Sequence, residues 1–342
     1  MSDSARHITI ATRGSALALA QANAVLAQCR TAFPRLRFDL KIIKTTGDKL
    51  QRASLAKPDP SLPKGLFTKE LEVALLKHQA DLAVHSLKDL PTDLPAGLKL
   101  GAVGKRADVR DVFIYRAAEF LRRSQNPATL TERPAKGPEK RGFKLLHSLQ
   151  DFFPNATVAT SSNRRKAQLL ALRPDFRVVE IRGNVVTRLQ KLADKPEVDA
   201  LVLAVAGLER LDFCIAPDGH LQGDAVPDGL LALRLEVEEM LPCIGQAALG
   251  IEIRADDERV ASLCDRLNHF NTFQCVAAER ALLRGMGGGC QTPVAAYAQI
   301  NGEFVRMRAV SFIGDQVRRA EGKRPIKEAV ALGEQLAAEL CA

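Results

Sequence analysis

The chain has 342 residues, room for two or three domains at roughly 100–200 residues each. Its 46% hydrophobic and 26% charged content is that of an ordinary soluble globular protein and excludes global disorder. A formal net charge of +9 attracts anions without saying which: nucleic acid is one reading, a small polyanionic substrate the other, and the aromatics a single-strand binder stacks on are scarce, with no Trp and two Tyr.

In chain order, the pattern predicts a strand over 8–11 and, behind Ser15, a helix over 16–32 rich in Ala, Leu and Gln. Ser suits the cap because its oxygen satisfies a free amide of the first turn. Alternation predicts a half-buried strand over 36–43. A helix over 66–76, a buried strand over 82–84 stopped near Pro91, and strands over 98–103 and 112–115 follow. Residues 117–150 carry Arg122, Arg123, Pro127, Pro134, Pro138, Lys140 and Arg141 with little apolar periodicity, and read as a surface insertion.

The opening pattern then recurs. Ala159-Thr160-Ser161-Ser162-Asn163 repeats the strand, small polar turn and helix start of Ala11-Thr12-Arg13-Gly14-Ser15. A helix over 163–172, a strand over 178–181, a helix over 184–192 and a strand over 200–205 continue the alternation. That order implies parallel sheets with helices on both faces. Residues 214–236, with Pro217, Gly219, Gly223, Pro227 and Gly229, read as irregular. Helices over 257–268 and 273–284, a hairpin turning at Asn301-Gly302 and a helix over 326–340 read as a small α+β domain.

Helix N-termini expose free amides and the positive end of the dipole, and so bind anions. Arg13 stands at the first such turn, Arg164 and Arg165 at the second, Arg182 and Arg188 around Gly183, and Arg210 beyond another strand end. Arginine adds a planar fork that fits a carboxylate or phosphate. Ordinary caps with solvated arginines and an anion-binding crevice beyond the strand ends are both open readings. In His85-Ser86-Leu87-Lys88-Asp89-Leu90-Pro91, Asp89 falls at a strand's carboxyl end, where a carboxylate stabilises a developing cation. A solvated Lys-Asp turn is the plain alternative, and His85 reads as a satisfied structural histidine.

The seven cysteines are scattered, with no C-x-x-C pair; this fits a reducing compartment and argues against disulfides or a zinc site. Cys290 is set apart by Gly287-Gly288-Gly289, which leave the backbone bare for a bulky group to reach a thiol. An incidental cysteine on a flexible loop is the plain alternative. The other six read as structural. No signal segment opens the chain and no apolar run approaches the ~18 residues of a membrane span, so a cytoplasmic protein is expected.

Together these segments resemble the hydroxymethylbilane synthase (porphobilinogen deaminase) family. The matching stretches are Thr12-Arg13-Gly14-Ser15, 64–72, 85–91, Arg164-Arg165, Arg182-Gly183-Asn184-Val185, 203–208, Gly245-Gln246 and 288–293, in the family's order. No single one decides; the ordered set is specific. The resemblance implies an α/β fold of two periplasmic-binding-protein-like lobes with the active site between them, plus a small C-terminal α+β domain. The implied domains are 1–105 with 241–266, 106–240, and 267–342. It implies condensation of four porphobilinogen molecules with loss of ammonia, then hydrolysis to hydroxymethylbilane. The implied cofactor is a dipyrromethane held by a thioether at Cys290.

Carried over by resemblance, Asp89 is the catalytic group. Lys88, Ser86, Arg182, Arg188, Ser161 and Arg164 hold the cofactor, while Arg13, Ser15, Arg165, Arg210 and Ser162 hold substrate. Phe67 reads equally as a pyrrole contact or a core aromatic. A monomer is implied, with no nucleic-acid, membrane or metal partner. Ala247 stands where the family usually has glycine, Asn163 where it has leucine, and Pro63 where it has glycine. The main alternative is a non-enzymatic two-lobed protein that binds a small polycarboxylate.

Overall fold

A computed structural model of the chain describes residues 7–45, 67–124, 140–289 and 291–342. They divide into two compact units. The first takes residues up to Asp108 and from Leu241 onward; the second is Val109–Met240.

The first unit holds a five-stranded sheet in the order Arg37–Ile43, His7–Arg13, Leu82–Ser86, Leu249–Arg254, Leu98–Val103. The first three run parallel, and Leu249–Arg254 runs antiparallel to both its neighbours. Period-two alternation sorts the side chains. Ile8, Ile10, Leu82, Val84, Ile251 and Ile253 pack in one cluster with Val25 of helix Ala16–Ala32 and Val260 of helix Glu258–Leu267. Ala11 and Ala83 face the other way, against Leu71 and Leu75 of helix Lys69–Leu76.

The same unit ends in a three-stranded antiparallel sheet, Val294–Asn301, Phe304–Ser311 and Arg318–Pro325. Helices Phe270–Gly285 and Ala329–Cys341 cover one face of it. Gly333 lets these helices close on each other, because a Cβ there would collide with the Ala278 carbonyl. The hairpin turns where expected, with Gly302 at φ +61°, a left-handed conformation glycine adopts freely.

The second unit holds a sheet in the order Leu230–Leu235, Asp111–Arg116, Ala200–Ala204, Thr157–Ala159, Arg177–Val179. Helix Val185–Asp194 packs Leu189 and Leu192 on one face, and helix Asn163–Leu172 packs Leu169 on the other.

The α/β class stands, and three sequence expectations change. Both sheets are mixed, not parallel, because strands Asp111–Arg116 and Leu249–Arg254 each run against both neighbours. The stretch 214–236 contains a short hairpin and strand Leu230–Leu235; its glycines sit at turns, with Gly219 and Gly229 at positive φ. Of the insertion read over 117–150, residues 125–139 lie outside the described residues. Its last part is packed: Leu146 and Leu149, with Phe152 just beyond it, join Tyr115 in the core, and the Leu146 amide donates to the Tyr115 hydroxyl at 2.9 Å.

Candidate active site

In the first unit, strand His7–Arg13 passes through Gly14 to Ser15, whose Oγ accepts from the Ala18 amide at 3.3 Å. The Arg13 guanidinium lies over the Phe67 ring, 4.3 Å from its centroid, a cation–π contact. Phe67 is therefore a platform for Arg13. Of the matching stretch 64–72, Lys64, Gly65 and Leu66 lie outside the described residues.

Strand Leu82–Ser86 runs beside His7–Arg13, and a 3-10 turn, Leu87–Asp89, follows it. Leu87 and Leu90 are buried and anchor the turn; Lys88 is half-buried and Asp89 is exposed. The Ser86 hydroxyl pairs with the buried Gln21 side chain at 2.8 Å. His85 is buried against Glu252, Nε2 to Oε2 3.0 Å, the satisfied structural histidine its context suggested.

Helix Phe270–Gly285 fastens this turn from the other side. Buried Arg280 donates to the carbonyls of Leu90 (3.1 Å), Pro91 (2.6 Å) and Thr92 (3.2 Å), and Arg284 to Thr92 and Asp93. Past the helix, Gly287 takes φ +63° and the Gly288 amide returns to the Leu283 carbonyl at 3.0 Å. The Gly289 amide donates to the Thr292 hydroxyl at 2.8 Å. Cys290 itself lies outside the described residues. Of the other cysteines, burial pushes the thiols of Cys29 and Cys275 up to about 11 and Cys264 up to about 12, which suits structural roles; Cys214 and Cys341 are exposed.

In the second unit, Ser162 caps helix Asn163–Leu172 by accepting from the Arg165 amide at 3.4 Å. Arg164 and Arg165 are buried and turn onto a fully buried carboxylate, Asp111. Arg164 Nη1 donates at 2.7 Å, and Arg165 donates through Nη2 at 2.8 Å and Nε at 3.2 Å. Burial alone would raise the Asp111 carboxyl; the two guanidiniums overcome it and hold the group well below the usual carboxylate range.

Ser161 ties two strand ends together, its Oγ donating to the Ile181 carbonyl at 2.6 Å. Arg182 is half-buried and reaches Glu180 at 3.1 Å, and Arg188 Nε donates to the Gly183 carbonyl at 2.8 Å. Burial pulls the Arg210 guanidinium down to about 10, with Glu209 pulling the other way.

Within each unit, then, predicted residues collect at the carboxyl ends of neighbouring strands. Sequence reasoning missed Gln21, Asp111, Glu252 and Arg280. Asp111 gave no signal, since it opens an apolar run beside Arg110 and reads as a turn residue. Gln21 was detectable as a polar residue on the inner stripe of a helix, one turn past Ala18.

Against known proteins, the family model described as "Porphobilinogen deaminase, dipyromethane cofactor binding domain" matches residues 8–262. The one described as "Porphobilinogen deaminase, C-terminal domain" matches residues 273–342. A protein named porphobilinogen deaminase from Desulforudis audaxviator is 44% identical over 98% of this chain and 94% of its own length. One of the same name from Chlorobium phaeobacteroides is 40% identical over 95% of this chain and 87% of its own. The solved methionine-binding protein MetQ shares 13% identity at a TM-score of 0.38, covering 79% of this chain and 91% of that one.

Proposed function

The chain belongs to the porphobilinogen deaminase family, and from that membership we propose how its side chains divide the work. The enzyme is a transferase that condenses four porphobilinogen molecules head to tail with loss of ammonia, and water then frees hydroxymethylbilane. Its cofactor is a dipyrromethane, which supplies the pyrrole end on which the chain grows. A non-enzymatic polycarboxylate-binding protein is not favoured.

We propose Cys290 as the attachment residue and Asp89 as the catalytic group. The donor set fits such a cofactor: a dipyrromethane made from porphobilinogen carries several acid side chains, and cations gather at strand ends, half-buried at Lys88, Arg182 and Arg188 and buried beside Asp111 at Arg164. In this reading Lys88, Arg182, Arg188 and Arg164 hold those acids, with Ser86 and Ser161 shaping the turns. Arg13, Arg165 and Arg210 take the substrate's carboxylates, Ser15 and Ser162 cap the helices beside them, and Phe67 keeps Arg13 in place. Asp89 accepts from the substrate pyrrole N–H and stabilises the positive charge that develops as ammonia leaves. Its exposure on a turn whose flanking leucines are buried is what supports that role. The domain reading is 1–105 with 241–266, 106–240, and 267–342.

The observation that carries the reading is the Arg280 clasp. It joins the Asp89 turn to the helix whose sequence runs on into Gly287-Gly288-Gly289-Cys290. Among the described residues no helix is long and apolar enough to cross a membrane. We place the enzyme in the cytoplasm as a monomer, its net charge of +9 serving an acidic substrate and not nucleic acid. Intact-mass measurement of the purified chain tests the attachment: an adduct of dipyrromethane mass, absent from Cys290→Ser, is expected. An active enzyme of unmodified mass would overturn it.

A further inference from the structure

Behind the Asp89 turn the first unit buries three ionisable side chains that the chemistry above does not use. His85 and Glu252 come from paired strands whose register sets Gly250 opposite His85 and Glu252 opposite Ala83, so both side chains share one face of the sheet. Helix Lys69–Leu76 covers that face and adds Glu72. Glu252 is wholly buried and Glu72 is 7% exposed.

The hydrogen bonding does not balance. His85 Nε2 engages Glu252 Oε2, while Glu252 Oε1 and Glu72 Oε1 are both buried and have no partner among the described residues. The other groups nearby do not supply a second cation. Thr68 gives Glu72 a hydroxyl and Glu70 adds only negative charge. Arg254, on the same strand face as Glu252, spends its guanidinium on the Leu75 and Ala80 carbonyls, Asp257 and Asp81. One imidazole neutralises at most one carboxylate, and an uncompensated charge at this depth is strongly disfavoured.

We propose that Glu72 is held as a neutral carboxylic acid, and that the Glu72–His85–Glu252 cluster is the positioning device that fixes the Lys88–Asp89 turn. His85 is one residue from Ser86 and two from Leu87, so displacement at its ring is carried directly into the turn. Burial, the largest influence, raises the Glu72 carboxyl; Thr68 and His85 work against it, the Glu252 and Glu70 charges add to it, and the net direction is up. Because the folded value is raised, the neutral cluster is intact at lower pH and is lost as pH rises through that value. Ionised Glu72 would set a second negative charge beside Glu252 and push the covering helix away from the strand end.

The role of Asp89 in this proposal rests on the family reading. The test uses the loaded wild-type enzyme, Glu72→Gln and Glu252→Gln, each checked by intact mass for its covalent adduct. Infrared spectra at neutral pH should carry the carbonyl band of a buried protonated acid in wild type and lack it in Glu72→Gln. Glu72→Gln should lose no more than about twofold in kcat at neutral pH and hold its activity to higher pH than wild type. Glu252→Gln should lose roughly tenfold in kcat with KM little changed. No protonated-acid band, a Glu72→Gln pH profile that superimposes on wild type, or a kcat loss in Glu72→Gln as large as in Glu252→Gln overturns the proposal. A wild-type chain with neither adduct nor tetrapyrrole product would instead sink the family reading of the turn.

Discussion

In the first unit Ser15 carries the chain from strand into helix by accepting from the Ala18 amide; in the second, Ser162 does the same for the Arg165 amide. The local design is shared, and the arginines beside it meet different ends. Arg13 rests half-buried on the face of Phe67. Arg164 and Arg165 are drawn into the interior by Asp111. A capped helix start thus leaves its arginine half-buried or draws it into the core according to one carboxylate on another strand of the same sheet. At this helix start the second unit spends positive charge on its own stability, and the first holds Arg13 half-buried on an aromatic ring.

The largest test of that contrast deletes one carboxylate from each unit. Asp89→Ala should leave the melting temperature unchanged and cost on the order of 1000-fold in turnover. Asp111→Ala should strip about 3–5 kcal/mol from the second unit in urea unfolding, because two guanidiniums are left buried and unpaired. Asp111's share of stability is full above its ordinary value near 3.8 and fades as pH falls through the depressed folded value. An Asp111→Ala chain as stable as wild type would break the comparison.

Smaller changes sharpen it. Arg13→Leu should raise KM by about tenfold, as expected for a lost charge-assisted contact of ~1.5–3 kcal/mol, with stability nearly constant. Arg164→Leu should lower both stability and chain elongation, since it also strips Asp111 of a donor. Ser15→Ala and Ser162→Ala should each cost about 1 kcal/mol by thermal unfolding; unequal losses would show that the caps are not equivalent. Least of all, Ala247→Gly should stabilise by about 0.5 kcal/mol. Ala247 sits at φ +69°, where a Cβ costs about 1 kcal/mol, and glycine's freer unfolded chain returns part of that gain.

Much of this was legible in the residues. The repeated strand–turn–helix pattern, the Ser15 cap, the Asn301-Gly302 turn and the buried strand before Asp89 are local, and local chemistry writes them plainly. Sheet order was not legible, because Leu249–Arg254 finds its place between strands far away in sequence. The packing of Leu146, Leu149 and Phe152 was missed because their spacing of three is not an α-helical stripe, and the helix expected from 66 starts at Lys69. The commitment of Arg164 and Arg165 was hidden for the same reason as sheet order: Asp111 is more than fifty residues away, and only the fold brings it under them.

The position of Leu249–Arg254 also dictates a timetable. A ribosome finishes all of residues 109–240 before it makes the strand that belongs between Leu82–Ser86 and Leu98–Val103. Until then both flanking strands present open edges, the kind of surface that invites aggregation during synthesis. The inserted unit has its five strands within 111–235 and can close soon after leaving the exit tunnel. Translation therefore completes the unit of residues 109–240 first and the unit whose sequence flanks it last, and a nascent chain stalled before residue 249 leaves Leu98–Val103 with no neighbour in its sheet.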